Sequence, residues 1–296
     1  MDPIDTPLWY VSLHGGHTGE FCDHGTSTLR AVLEAAVSKG FSVYGVAEHA
    51  ARVEERFLYP NERRLGWTIE KVQEDFERYA KAIFDLAEEF DGRLTVLRGM
   101  EAEVVPTACY AELMLGYRER FGFDYMVGSV HYVDEMSVDD TPELFEQAME
   151  AHGGLEPLAI RYYETLAAMV EALRPDVVGH FDVIRKLGWK YGDVATPAIR
   201  RAAGDALDIV RQQGCILDLN TGGYRKELGT PYPDVWVVER AREMGIPFAL
   251  GDDSHGPDEV GDGFERGRQY LLENGVTTVT VLQRAGDVIT RETVPL

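Results

Sequence analysis

The run FSVYGVAEH, residues 41–49, is apolar or small at nearly every position and closes on Glu48 and His49. Apolar residues at successive rather than alternate positions mark a strand buried on both faces, as in a parallel sheet covered by helices. The same form recurs along the chain. LWYVSLH closes on His14, LTVLRGME on Glu101, FDYMVGSVH on His131, PDVVGHFD on His180 and Asp182, GCILDLNT on Asn220, and IPFALGDDSH on Asp252, Asp253 and His255. These are seven candidate strands with helical periodicity between most of them. Leu29, Val32, Leu33, Ala36 and Val37 form one such stripe, with Ser27 placed to cap its start and Gly40 to follow its end. Ile69, Val72, Phe76, Ile83 and Phe84 mark a longer helix, and residues 139–152, 156–173, 197–213 and 234–244 add others.

Alternating strands and helices argue for a parallel sheet. An open doubly wound sheet would scatter the polar strand ends, whereas a closed barrel gathers all of them at one mouth, where barrel active sites lie. The α/β class, closed as a TIM-barrel-like (β/α) barrel, is therefore expected, with residues 1–296 as one domain. TTVTVL, residues 277–282, reads as a peripheral strand. RFLYPNERRLGW, residues 56–67, reads as a long loop over the mouth, with Arg56, Arg63 and Arg64 either solvated or facing substrate.

The chain has 296 residues, 45% hydrophobic, enough for one large core, and a formal net charge of −22. That charge argues against a nucleic-acid or anionic-membrane binder, which needs clustered cations, but leaves room for a small phosphorylated substrate. Cys22, Cys109 and Cys215 are odd in number and far apart, which suits reduced thiols and a cytoplasmic location. The start MDPIDTPLWYVSL has no basic segment leading into an apolar one, and no apolar run reaches the roughly 20 residues that span a bilayer.

Seven of the eight histidines, His14, His17, His24, His49, His131, His180 and His255, stand at or just after strand ends; His152, in MEAHGG, reads as the last residue of a helix. One such imidazole is ordinarily a hydrogen-bonded structural residue. Seven converging on one mouth would be costly to desolvate unless divalent metal used their lone pairs, with Glu101 and Asp253 supplying charge. There is no Cys-x5-Arg loop, no Asp-x-Asp nucleophile, no Walker loop and no His-Glu-x-x-His helix. Metal-assisted attack by water is the mechanism left.

HGGHTGEFCDHG, GVAEH, RGMEAEV, GSVH, GHFD and GDDSH resemble, in order, the motifs of the polymerase-and-histidinol-phosphatase (PHP) superfamily. FCDHG, LNTGGYRKELGTPYP and GDDSHGPDEVG are most similar to its histidinol-phosphatase branch. The resemblance implies a distorted seven-stranded barrel with three divalent transition-metal ions, zinc, iron or manganese. By motif, His14, His17, Glu101 and Asp253 would hold one ion, and Glu101, His131 and His180 a second. His24, His49 and His255 would hold the third. The family's first motif is usually His-x-His, whereas this chain has His-Gly-Gly-His. A regular strand would point His14 and His17 to opposite faces. A glycine-tolerated bulge would bring both to one ion.

The activity implied is hydrolysis of a phosphomonoester, L-histidinol phosphate, as in histidine biosynthesis. Glu101, His131, Asp253 and His255 would be central to catalysis. Arg225, Arg161 and Arg185 are candidate phosphate contacts, Arg225 first because it follows the sixth strand. Asp182 and Asn220 stand where they would meet the amine and imidazole or orient ligands. The alternatives are a related phosphoesterase acting on a nucleotide or other monoester, and a non-catalytic metal-binding protein.

Overall fold

In chain order the strands are β1 (Val11–Ser12), β2 (Val43–His49), β3 (Thr95–Ala102), β4 (Tyr125–Gly128), β5 (Tyr132–Val133), β6 (Met136–Ser137), β7 (Val177–Val178), β8 (Ile216–Asn220), β9 (Phe248–Gly251), β10 (Thr278–Ala285) and β11 (Val288–Pro295). The structure, a computed structural model, describes residues 7–286 and 288–296. Strands β1, β2, β3, β4, β7, β8 and β9 are parallel neighbours in that order and close into a barrel. The seam is Ser12, which pairs with Tyr44 on one side and Leu250 on the other. β1 and β7 are only two residues long, so the barrel is irregular at those staves.

All seven expected strands are present and buried. Inside the barrel, glycine makes room for a large ring: a Cβ at Gly45 would stand 2.4 Å from the Tyr125 hydroxyl, and one at Gly99 would stand 2.4 Å from its Cε1. The β2–β3 register sets His49 opposite Glu101. Two groups legible as strand ends are therefore delivered side by side.

The helices lie where periodicity placed them: Leu29–Ser38, Ile69–Glu89, Pro142–His152, Leu155–Leu173, Pro197–Gln213 and Val235–Met244. Thr-Pro pairs start two of them, with Thr141 and Thr196 accepting from the Leu144 and Ile199 amides and Pro142 and Pro197 in the first turn. The first helix is capped by Thr28, not Ser27; its hydroxyl accepts from Ala31 N while Ser27 sits at φ 65°. His152 ends its helix as expected and donates from Nδ1 to Ala148 O at 2.7 Å.

Among the described residues, two helices of ten residues or more have no counterpart in the expected periodicity, Tyr110–Phe121 and Phe264–Glu273. Met114 is the one buried residue of the former, so it has little apolar stripe to read. The strand expected at 277–282 is β10, and it pairs antiparallel with β11. Arg284 and Arg291 pair with Asp124 and Asp176, which lie just before β4 and β7, so the hairpin packs at the barrel end opposite the histidines. Residues 56–67 are not all loop: Pro60–Arg64 is a short helix. Arg52 and Glu62, both buried, form an ion pair beneath it, and the Arg52 guanidinium lies 4.1 Å from the Tyr59 ring centroid. No helix among the described residues is long and apolar enough to cross a membrane.

Candidate metal centre

Glu101 is the hub. It stands near the end of β3, 2% exposed, with five imidazoles around its carboxylate. His49 Nδ1 lies 2.9 Å away, His180 Nε2 3.2 Å, His14 Nε2 3.3 Å, His131 Nε2 3.6 Å and His17 Nε2 3.7 Å. Asp253 completes the floor, with Oδ1 3.5 Å from His17 Nε2 and 3.8 Å from His255 Nδ1.

The His-Gly-Gly-His segment reaches this point by leaving β1 early. Its backbone is pinned on both sides, Ala47 N to Gly15 O at 2.8 Å and His17 N to Ser254 O at 2.9 Å. Gly16 has φ 85°, and a Cβ on Gly15 would stand 2.2 Å from Asp252 Oδ1. Only glycine fits both positions, and the result is that His14 and His17 share one carboxylate instead of facing opposite ways. His180 and Asp253, at φ 22° and 48°, also hold left-handed backbone, strain of the kind stored at functional sites.

A ring of outer carboxylates orients the imidazoles. His14 donates from Nδ1 to Asp218 at 2.8 Å, His17 to Glu48 at 3.3 Å and His131 to Glu103 at 2.6 Å. This fixes the tautomer that leaves Nε2 free, the usual support of a metal-bound histidine. His14 Nε2, His17 Nε2 and Glu101 Oε2 are then buried with no hydrogen-bond partner. Buried lone pairs without donors are costly, and a cation between them removes that cost.

Ligand atoms lying within 4.8 Å of one another form four sets: His14, His17, Glu101; His14, His180, Asp253; Glu101, His131, His180; and His17, His49, His255. These residues therefore fit more than one metal ion. His24 is more exposed, but its Nε2 lies 3.2 Å from His49 Nε2, and its Nδ1 donates to Asp23 at 3.0 Å. All nine residues expected as ligands are thus brought into one cluster.

The imidazoles and carboxylates also shift one another's protonation, as opposite charges packed together do. Burial pushes the Glu101 carboxyl up, but His14, His49 and His131 carry it well below the usual range. Burial lowers His131, yet Glu103, Asp139 and Glu101 raise it to about 10. His49 is pushed down to about 4 by burial and by His17.

The cluster forms the floor of a cavity of about 340 Å³ whose walls include Asp23, Tyr59, Asn61, Asp139, Asp140, Lys186, Lys226 and Tyr232. Glu101, His131, Asp253 and His255 all line it. The expected substrate contacts do not. Arg225 donates to Asp252 O at 2.7 Å and Asp253 O at 2.8 Å, so it holds the turn after β9. Arg185 is buried against Asp182 and Thr230, and Arg161 pairs with Asp134 and Glu164 at the surface. Asp182, fully buried, accepts from Arg185 and from Asp234 N. Asn220 donates to Asp218 and Asp253, orienting a ligand. Arg56, Arg63 and Arg64 do not line the cavity; their segment reaches it through Tyr59, Pro60 and Asn61.

The PHP domain family model matches residues 14–222. The chain belongs to that family. Among curated relatives it is 31% identical over 286 residues to a probable histidinol-phosphatase of Schizosaccharomyces pombe, covering 94% of this chain and 90% of that one. A candidate histidinol phosphatase of Listeria monocytogenes superposes with a TM-score of 0.76 at 25% identity, over 86% of this PHP chain and 99% of its own. The histidinol phosphate phosphatase of Lactococcus lactis, solved with zinc, L-histidinol and phosphate, shares the fold with a TM-score of 0.68 at 17% identity, over 95% and 98% of the two chains.

Proposed function

We propose that this PHP-family chain is a metal-dependent phosphomonoesterase acting on L-histidinol phosphate. The observation that carries the reading is the Glu101 hub, a buried carboxylate among imidazoles whose free nitrogens face it on the floor of an open cavity. The names of the relatives supply the substrate.

Three ions are proposed, with zinc, iron or manganese suited to imidazole and carboxylate. His14, His17, Glu101 and Asp253 would hold one. Glu101, His131 and His180 would hold the second, and His24, His49 and His255 the third, with His17 also within reach of that last set. Bound divalent ions supply charge neutralisation at phosphoryl oxygens and a lowered pKa for water.

The chain's own groups do the rest. Asp218, Glu48 and Glu103 keep three imidazoles in the ligating tautomer. Lys186 and Lys226, each one residue beyond an expected arginine, place ammonium groups on the wall where an anion would lie. Asp139, 3.2 Å from Lys186, and its neighbour Asp140 are the acidic groups facing a cationic amine. The raised carboxyl of Asp140, caused by burial and by Asp139, is what an ammonium would relieve.

Metal-replete protein should release phosphate from L-histidinol phosphate in preference to nucleotides and sugar phosphates in a panel of monoesters. Full metal loading with no turnover of any monoester would leave the non-catalytic alternative in place.

A further inference from the structure

Tyr232 is 2% exposed, its buried hydroxyl has no hydrogen-bond partner, and the residue borders the cavity. A buried hydroxyl without a partner is a cost the fold would otherwise avoid. The residue is held firmly. Its backbone is bridged to the end of β8, Asn220 N to Tyr232 O at 2.8 Å and Tyr232 N to Asn220 O at 3.0 Å. Gly223 admits the ring edge, since a Cβ there would stand 3.1 Å from Tyr232 Cε2. The ring meets His180 edge-on, with centroids 6.4 Å apart. His180 belongs to the Glu101 and His131 set, so Tyr232 stands at the end of the cavity where the reacting group would lie.

We propose that the Tyr232 hydroxyl is a substrate-binding donor that hydrogen-bonds a phosphoryl oxygen. A phenol is protonated at neutral pH, so the hydroxyl carries a hydrogen to donate. A phosphoryl group offers acceptors only, which matches. This assignment rests on the phosphomonoesterase reading. It goes beyond that reading in naming a protein donor for the substrate outside the metal ligands and the lysines.

The competing account is a structural one, in which buried water joins the hydroxyl to Asp182 Oδ1, also without a partner. Titration calorimetry of inorganic phosphate into metal-loaded protein separates the two, because it needs no turnover. Tyr232→Phe removes one oxygen and keeps the ring. It should weaken phosphate binding about tenfold and lower kcat/KM for a phosphomonoester by a similar factor, a typical loss for one hydrogen bond to a charged group. Metal content should be unchanged, and the Tm of the ligand-free protein no lower. Tyr224→Phe, a neighbouring tyrosine outside this cavity, should leave phosphate affinity as in wild type. Unchanged phosphate affinity in Tyr232→Phe, above all with a lowered Tm, would overturn the assignment. Failure of the wild type to bind phosphate or hydrolyse any monoester would instead overturn the reading beneath it.

Discussion

Glu101 and Glu103 stand two positions apart on or beside β3 and serve different ends. Glu101 faces five imidazoles, whereas Glu103 lies behind His131 and accepts its Nδ1 proton. Glu101→Gln removes the charge shared by the metal sets. Activity should fall by about 100-fold or more, on the scale of losing a principal electrostatic group, while the folded chain persists and metal content drops. Glu103→Gln leaves every proposed ligand in place but loosens one, for which about a 10- to 100-fold loss is expected. Metal analysis with steady-state kinetics checks both, and near wild-type turnover in Glu101→Gln would contradict the hub. Sequence reading reached the ligands because each stands at the end of an apolar run. It gives no role to Glu48, although that residue closes its run, and does not reach Asp218, which lies within its strand; both act through a histidine. It also placed the cavity's cations one residue early. At both Arg185–Lys186 and Arg225–Lys226 the arginine turns into the scaffold and the lysine lines the cavity, a difference of side-chain direction that residue type alone does not reveal.

At the scale of elements, the short β1 and the glycines after it decide whether the centre can form. Gly16 at φ 85° also has Val46 Cγ1 2.9 Å from where a Cβ would be. Gly16→Ala therefore combines backbone strain with a clash against β2, and should destabilise the protein by more than about 1 kcal/mol. Because the adjoining His17 would shift with it, metal content should fall as well. Denaturant unfolding and metal analysis on one preparation check this; a variant as stable and as metal-rich as wild type would mean that the turn has no such role. The strands are legible as unbroken apolar runs, and most helices as apolar period. Tyr110–Phe121 is not, since a helix resting mainly on Met114 has no stripe. β11 is not, since most of its residues face solvent and only Val294 is buried.

For the molecule as a whole, the proposed ligands come from the ends of six of the seven staves, and β8 joins them through Asp218 and Asn220, so a metal centre held there should carry stability as well as chemistry. Ions that bind only the folded chain stabilise it by about 2.7 kcal/mol at 100 times Kd. Chelation should then lower Tm by several degrees, and re-addition of metal should restore it; an unchanged Tm would show the centre to be energetically idle. Elemental analysis of protein prepared without chelator should approach three ions per chain, and one or none under metal-replete conditions would defeat the trinuclear proposal. The substrate assignment makes the stricter demand, because a metal clamp alone would hydrolyse many esters. A cavity with lysines and an aspartate pair on its walls should use the amine and imidazole of the substrate to position its phosphate. The decisive measurement is kcat/KM for L-histidinol phosphate against ethanolamine phosphate, a small alkyl ester with a comparable leaving group. The account predicts a preference of about 100-fold or more for histidinol phosphate, the scale of a few specific polar contacts; equal values for the two esters would contradict it.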